Sequence, residues 1–267
     1  MKIGVSTASL YPLHVENAFR TLCGLGVKTI EVFANSTAEG QEPLVSEICS
    51  LRDENNVKVT SFHPFSSPME SVFLFSDYDR RIDEMMSLYR GFFASMNTLG
   101  AKIFVLHGAI LSSKCAPAHY LKQFSMLSEA GREFGITVAQ ENVSYCMSGN
   151  LDFLKKMKRE IPEAARFVLD LKQARRSGDN PLDYIEALGE NIVHCHISDA
   201  DENRDCLAVG AGNYDFTELL RALSDKGYGG ALIVELYRRN YGEFSELKSS
   251  ADVLAEYCER LGIKYSL

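Results

Sequence analysis

The chain has 267 residues, of which 46% are hydrophobic and 24% charged, a length and composition that suit one α/β barrel or two smaller domains. The net charge of −8 and the lack of any long Lys/Arg run speak against a nucleic-acid partner, and no apolar stretch approaches the roughly 20 residues of a transmembrane helix. The seven cysteines are scattered without a CxxC pair, which argues against a disulfide framework and favours a reducing, cytoplasmic location.

Strand-like and helix-like segments alternate along the chain. Short β-branched runs predict strands, and apolar residues at three-and-four spacing predict helices. The predicted strands are 3–6, 29–33, 57–62, 102–106, 136–140, 167–169, a seventh that begins at 192, and 231–234. The predicted helices are 15–25, 43–55, 79–99, 117–134, 151–159, 181–188, 216–226 and 244–261. Glycines follow several of them, as at Gly100 and Gly262, where a helix commonly ends.

The regular alternation predicts the fold class. Eight strand and helix pairs, with no linker and no low-complexity segment, indicate one α/β domain over residues 1–267. The predicted architecture is a single (β/α)8 TIM barrel, an eight-stranded parallel closed sheet with outer helices, whose active site lies at the carboxyl ends of the strands. A doubly wound open sheet is the alternative, but it would not bring the ends of all these strands to one place.

Acidic or imidazole side chains end seven of the predicted strands. They are Glu31, His63, His107, Glu141, Asp170, His196 and Glu235. The last four come from consecutive strands, and three of those four are carboxylates, which would repel one another unless a cation lay among them. We therefore predict one divalent metal, held by Glu141, Asp170, His196 and Glu235. The oxygen-rich donor set favours Mn²⁺, Mg²⁺ or Co²⁺ and leaves Zn²⁺ and Fe²⁺ open.

The remaining histidines and Glu31 have less specific interpretations. His63 and His107 end strands three and four, on the adjacent arc, where they would hold substrate oxygens or a second metal. His194 is expected to point away from the face that carries His196 and to be structural. For Glu31, functional and structural roles have equal weight, and a functional Glu31 would orient an arginine or a substrate hydroxyl.

An ordered set of motifs resembles a known family. The set comprises the HxxD of His196 to Asp199, the downstream Arg204, the GxGxxD of Gly210 to Asp215 and the last strand ending in Glu235. Together with the other strand-end groups, it looks like the xylose isomerase-like barrel superfamily over nearly the whole chain. That superfamily includes sugar phosphate isomerases and epimerases, ketose 3-epimerases of the tagatose epimerase type, and the second family of apurinic endonucleases.

The resemblance implies a function and a set of roles. Glu141, Asp170, His196 and Glu235 match the family's metal ligands, and in the epimerase branch the two glutamates also form the acid/base pair. The implied activity is a metal-dependent isomerisation or epimerisation of a sugar or sugar phosphate through a cis-enediolate. The candidate substrate contacts are His63, His107, Gln173, Arg204 and Glu31.

Two departures from the family pattern leave other functions open. Gln173 stands where the family commonly has a histidine, and Asn203, Arg204 and Asp205 stand where the endonuclease branch has an Asp-Arg-His triplet. These departures weaken the alternative hypothesis that the protein is a zinc-dependent phosphodiesterase of the endonuclease type, although His63 and His107 match the zinc ligands of that branch. A non-catalytic ligand-binding barrel is the third class.

Two further features stay open from the sequence. Gly210 and Gly212 would either present backbone amides to a substrate phosphate or only form a tight turn. Barrels of this type commonly associate, so a homo-oligomer is compatible with the chain, but no apolar surface patch can be read from the sequence.

Overall fold

The structure, a computed structural model, describes residues 1–65 and 67–267 and contains a closed barrel of eight parallel strands. Each strand pairs with the next along the chain, and β1 also pairs with β8, so the sheet has no free edge. The strands are β1 (Lys2–Ser6), β2 (Thr29–Ala34), β3 (Lys58–Pro64), β4 (Ile103–Leu106), β5 (Thr137–Glu141), β6 (Phe167–Asp170), β7 (Ile192–Ile197) and β8 (Ala231–Val234). The predicted (β/α)8 barrel is confirmed.

Helices surround the barrel and cover its outer face. Within the described ranges they are α1 (Val15–Gly24), α2 (Leu44–Glu54), α3 (Ser67–Glu70), α4 (Asp79–Leu99), α5 (Pro117–Glu133), α6 (Leu151–Glu160), α7 (Leu171–Arg176), α8 (Pro181–Leu188), α9 (Phe216–Asp225) and α10 (Ser245–Leu261). Gly100 ends α4 with a φ of 83° and Gly262 ends α10 with a φ of 67°, the left-handed conformation that glycine adopts without strain. None of the described helices combines the length and the apolar character needed to cross a bilayer.

The predicted strand boundaries differ from the observed ones by one or two residues. β2 ends at Ala34, one residue beyond the predicted end, and β3 ends at Pro64, two residues beyond it. The short helix α7 begins directly after β6 and was not predicted. Because these shifts decide how deep each side chain lies in the barrel, they matter for the site.

Apolar residues fill both sides of the sheet. The main core lies between the strands and the outer helices, with large buried side chains such as Phe62, Phe104 and Phe167. Inside the barrel, Val105, Ala139 and Val168 form a smaller cluster. Toward the carboxyl ends of the strands, the side chains inside the barrel become polar.

Candidate metal centre and active site

Three carboxylates converge on one nitrogen of His196. Nδ1 of His196 lies 3.3 Å from Glu141 Oε1, 3.6 Å from Glu235 Oε2 and 3.8 Å from Asp170 Oδ2. Each residue stands at or just after the end of a neighbouring strand, β5 to β8, and strand pairing sets Asp170 directly beside His196. The structure thus brings together all four residues that the sequence predicted as metal ligands.

The hydrogen bonding of this cluster fits a bound cation. Glu141 Oε2, Asp170 Oδ2 and Glu235 Oε2 are all buried and accept no hydrogen bond from the described residues. Two of them instead lie close to cationic groups, since Glu141 Oε2 is 2.8 Å from His107 Nε2 and Asp170 Oδ2 is 3.2 Å from Lys172 Nζ. Buried carboxylate oxygens without hydrogen bonds are costly unless a positive charge compensates them. Glu141, Asp170 and His196 form one group whose ligand atoms lie close enough to hold a metal ion, and His196 and Glu235 belong to a second, overlapping group with Glu31 and His63.

The pKa values of the cluster reflect its dense negative charge. Burial alone would lower the pKa of His196, but the carboxylates of Glu31 and Glu235 raise it well above its usual range. Burial would likewise raise the pKa of Glu141, yet the charges of the neighbouring His107 and His196 hold it well below its usual range. Burial would also raise the pKa of Glu235, but the charges of Lys172 and His196 lower it. Glu141 and Glu235 are therefore both ionised.

Glu31 and His194 form a layer below this cluster. Glu31 Oε2 lies 3.2 Å from His196 Nε2 and 2.9 Å from His194 Nε2, and it accepts a 2.8 Å hydrogen bond from Ser61 Oγ. Glu31 has no exposed surface and does not line the cavity above it. Glu31 therefore lies one layer below the residues that line the cavity, and a contact between Glu31 and a substrate stays a prediction.

The predicted orientation of His194 was wrong. Residues two apart on a strand share a face, so His194 points into the barrel as His196 does, and their ring centroids are 5.2 Å apart. The structural role expected for His194 fits its position, since it is fully buried and contacts Glu31. Burial lowers the pKa of His194.

His63 and His107 form a second group of donors beside Glu141. Their Nε2 atoms lie 2.6 Å apart, a separation at which one imidazole must donate to the other. His63 also lies 3.9 Å from both Glu141 Oε2 and Glu235 Oε2, so its ring reaches both glutamates. These positions agree with the predicted arc next to the metal ligands, and His63, His107 and Glu141 together could also hold an ion.

Lys172 belongs to the cluster, although the sequence did not predict that its side chain would lie there. Its ammonium lies 3.0 Å from Glu235 Oε1 and 3.2 Å from Asp170 Oδ2, with a side chain only 4% exposed. Burial would lower the pKa of Lys172, but the two carboxylates raise it well above its usual range. The signal was present, because an Asp at the end of a strand is a strong helix N-cap, and Asp170 Oδ1 caps α7 by accepting from the Gln173 amide at 2.9 Å.

Of the two remaining predicted substrate contacts, one lies at the site and one does not. Gln173 lines the cavity, and its Oε1 accepts hydrogen bonds from the amide and the hydroxyl of Ser144. Arg204 lies on the loop after β7, where it pairs with Asp201 and is 65% exposed. It is not among the residues that line the cavity.

A cavity of about 380 Å³ opens above the cluster. Its floor includes Glu141, Glu235 and His63, and aromatic rings form part of its wall. Those rings are Tyr11, Phe33, Tyr145 and Tyr237. A sugar has an apolar C–H face and polar hydroxyls, so aromatic walls above a polar floor suit such a ligand.

The glycine turn after β7 does not present free amides. Asp199 accepts hydrogen bonds from the backbone amides of Gly210 at 2.9 Å, Gly212 at 3.0 Å and Tyr214 at 3.0 Å. A Cβ on Gly212 would lie 2.4 Å from Ala200 O, so the close approach itself requires glycine. Of the two interpretations left open, the tight turn is the one observed, since Asp199 already occupies the amides that a phosphate would need.

The closed barrel and the cluster of carboxylates and histidines at its carboxyl mouth define the class of protein. The xylose isomerase-like TIM barrel family matches residues 19–261, and the chain belongs to this family. Fructoselysine 3-epimerase of Escherichia coli O157:H7 is 23% identical over 248 residues, which cover 88% of this chain and 90% of that protein.

Two further relatives agree with this assignment. Inosose isomerase of Bacillus subtilis is 22% identical over 211 residues, which cover 71% of this chain and 76% of that protein. The crystal structure of a D-tagatose 3-epimerase-like protein superposes with a TM-score of 0.82 at 20% identity and covers 98% of both chains. The protein is therefore related to sugar epimerases and isomerases.

Proposed function

We propose that this protein is a divalent-metal-dependent isomerase or epimerase of a sugar or sugar phosphate. The observation that carries the proposal is the convergence of Glu141, Asp170 and Glu235 on His196 Nδ1, each with one buried oxygen that accepts no hydrogen bond from the described residues. The family and the named relatives, which are sugar epimerases and isomerases, support it.

The four converging residues, which belong to two overlapping groups of possible ligands that share His196, would hold Mn²⁺, Mg²⁺, Co²⁺ or Zn²⁺. The bound ion would supply Lewis acidity, which polarises the sugar carbonyl and acidifies the neighbouring C–H. Glu31 would fix the His196 ring, because a carboxylate that accepts from Nε2–H would leave the Nδ1 lone pair of the neutral imidazole available to the ion.

Glu141 and Glu235 would act as the acid/base pair. Both line the cavity and both are ionised, so either can accept a proton from the carbon next to the carbonyl. Proton removal would leave a cis-enediolate. The epimer would form when the other glutamate, having first taken up a proton from water or a substrate hydroxyl, donates it to the opposite face of the same carbon. Proton return to the former carbonyl carbon, with transfer of the remaining enediol O–H proton to the other oxygen, would give interconversion of aldose and ketose. His63, His107 and Gln173 line the same cavity and would hold the sugar hydroxyls.

The test is proton exchange in deuterium oxide. Mn²⁺-loaded protein would be incubated with a panel of ketohexoses and their phosphates, and deuterium incorporation next to the carbonyl would be followed by NMR. We expect Glu141→Gln and Glu235→Gln to slow incorporation by about 10²–10⁴-fold. Glu133→Gln, on the exposed face of α5, is the control and should exchange at the rate of the unaltered protein. Near-normal exchange by Glu235→Gln would remove it from the acid/base pair.

A second candidate function rests on the group formed by His63, His107 and Glu141. If this group held a second ion, the centre would resemble that of a metal-dependent phosphodiesterase. Asp205 speaks against a third ion, since it pairs with Arg176 at 2.6 Å. Metal content per chain decides between the candidates. About one ion supports the sugar enzyme, two or three zinc ions with cleavage of abasic duplex support the phosphodiesterase, and no ion after reconstitution favours a binding barrel.

The cellular location is a proposal of its own. All seven cysteines are free thiols, and five of them are buried, which fits the predicted cytoplasmic location because a reducing compartment keeps thiols unpaired. Localisation of a tagged chain by cell fractionation tests it.

A further inference from the structure

A buried ammonium group lies among the atoms proposed to bind the metal. Lys172 Nζ contacts Glu235 Oε1 at 3.0 Å and Asp170 Oδ2 at 3.2 Å, and it stands 5.0 Å from the centre of the Tyr237 ring. Its side chain is 4% exposed, whereas lysines normally keep their charge in water. The carboxylate cluster therefore contains a cation that belongs to the chain itself.

The fold holds this lysine in place. Asp170 ends β6 and at the same time caps α7, so Lys172 lies in the first turn of a helix that begins at the barrel mouth. The residues on either side, Leu171 and Gln173, are also buried. The backbone at this point thus directs the ammonium between β6 and β8 and gives it little room to reach solvent.

The contacts of Lys172 oppose the binding of a second cation. Asp170 and Glu235 are two of the four proposed ligands, and both already form ion pairs with the ammonium. An incoming divalent ion must either displace the ammonium from these carboxylates or tolerate its charge nearby. In a buried site of reduced effective dielectric, a unit charge about 4 Å from the ion changes its affinity by more than tenfold.

We infer that Lys172 is a built-in counter-cation that weakens metal binding and stabilises the metal-free barrel. The inference rests on the proposed metal centre. With Lys172 in place, the carboxylates are partly neutralised before an ion arrives, so the ion remains exchangeable and folding does not depend on it. Without Lys172, the same carboxylates repel one another until a metal binds.

The test is a calorimetric titration of chelator-treated protein with Mn²⁺ alone. Lys172→Met and Lys172→Gln both remove the charge, and the second retains polarity should the first fold poorly. Lys58→Met, at the exposed start of β3 on the opposite end of the barrel, controls for the loss of one positive charge. Thermal unfolding of each metal-free protein supplies a second readout that needs no substrate.

We expect at least about tenfold tighter Mn²⁺ binding in both Lys172 variants, with unchanged affinity in Lys58→Met. The metal-free Lys172 variants should also unfold at lower temperature than the unaltered protein and regain more stability on adding Mn²⁺. Equal or weaker Mn²⁺ binding by folded Lys172 variants would overturn the inference while leaving the metal centre in place. Absence of Mn²⁺ binding in every protein would overturn both. If the Lys172 variants bind Mn²⁺ more tightly but the unaltered protein acts on no sugar, the inference holds and only the proposed function is overturned.

Discussion

At the scale of single residues, Glu31 is a buried carboxylate that contacts the proposed metal ligand His196 without lining the cavity. It accepts hydrogen bonds from Ser61 and from both histidines of β7. Burial by itself would raise the pKa of Glu31, but the charge of His196 and the hydrogen bonds from the histidines hold it well below its usual range. Glu31 is thus an ionised acceptor beneath the cluster, and we propose that it positions His196.

Replacement of Glu31 by Gln should weaken metal binding without removing a proposed ligand. The neutral amide lacks the negative charge that faces His196 Nε2, so it holds the His196 tautomer less strongly, and we expect Mn²⁺ affinity to fall by about 10–100-fold. Calorimetric titration with Mn²⁺ measures this change in affinity. Ser61→Ala, which removes one uncharged donor from Glu31 and leaves the carboxylate in place, is the matched variant and should lose less than about tenfold in Mn²⁺ affinity. Unchanged affinity in Glu31→Gln would contradict the positioning role.

At the scale of elements, the segment between β7 and α9 is organised around one carboxylate. Asp199 accepts from four backbone amides, those of Ala200, Gly210, Gly212 and Tyr214. This loop has no regular secondary structure of its own, so Asp199 satisfies backbone groups that a strand or helix would otherwise pair. The motif that resembled a phosphate cradle is therefore a closed internal turn.

Asp199→Ala should destabilise the fold through this loop. Because four amides lose their acceptor, the free energy of unfolding should fall by at least about 2 kcal/mol. Denaturant unfolding followed by circular dichroism provides the measurement. Asp199→Asn retains one carbonyl acceptor and should lose less, and Asp225→Ala, at the exposed end of α9, should change stability by no more than about 0.5 kcal/mol. A loss in Asp199→Ala no larger than that in Asp225→Ala would refute this account of the loop.

At the scale of the whole molecule, barrel closure couples the site to global stability. The proposed ligands come from β5, β6, β7 and from the residue after β8, and β8 pairs with β1 to close the sheet. An ion that bound these four residues would link one half of the barrel across its mouth. Since that geometry is lost on unfolding, metal binding and folding are thermodynamically linked.

Addition of Mn²⁺ should therefore raise the stability of the folded protein. At a free concentration about 100 times its Kd, the ion should increase the free energy of unfolding by about 2.7 kcal/mol, and chelator should reverse the effect. Denaturant titration with and without Mn²⁺ measures the difference. Asp170→Asn, which keeps the size of a ligand side chain but removes its charge, should show a much smaller increase. An equal increase in that variant would place the ion elsewhere.

The alternation of elements and the residues at strand ends determined the architecture and most of the candidate site. Eight alternating strand and helix segments leave few topologies other than a closed parallel barrel, and such a barrel gathers the carboxyl ends of its strands. Glu141, Asp170, His196 and Glu235 could thus be assigned to one cluster before any coordinates, as could the neighbouring His63 and His107.

Only the tertiary structure decided depth and direction within the barrel. The sequence did not show that Glu31 lies below the cavity and contacts His194 and His196. It also assigned His194 to the outer face of the sheet, whereas His194 points into the barrel. Lys172 lies in the cluster because the helix that carries it begins at Asp170. Arg204 lies outside the cluster because the loop after β7 directs it to Asp201. The local spacing of apolar residues predicts whether a segment is a helix or a strand. The depth of each side chain in the barrel instead follows from strand register and barrel closure, which involve residues far apart in the chain.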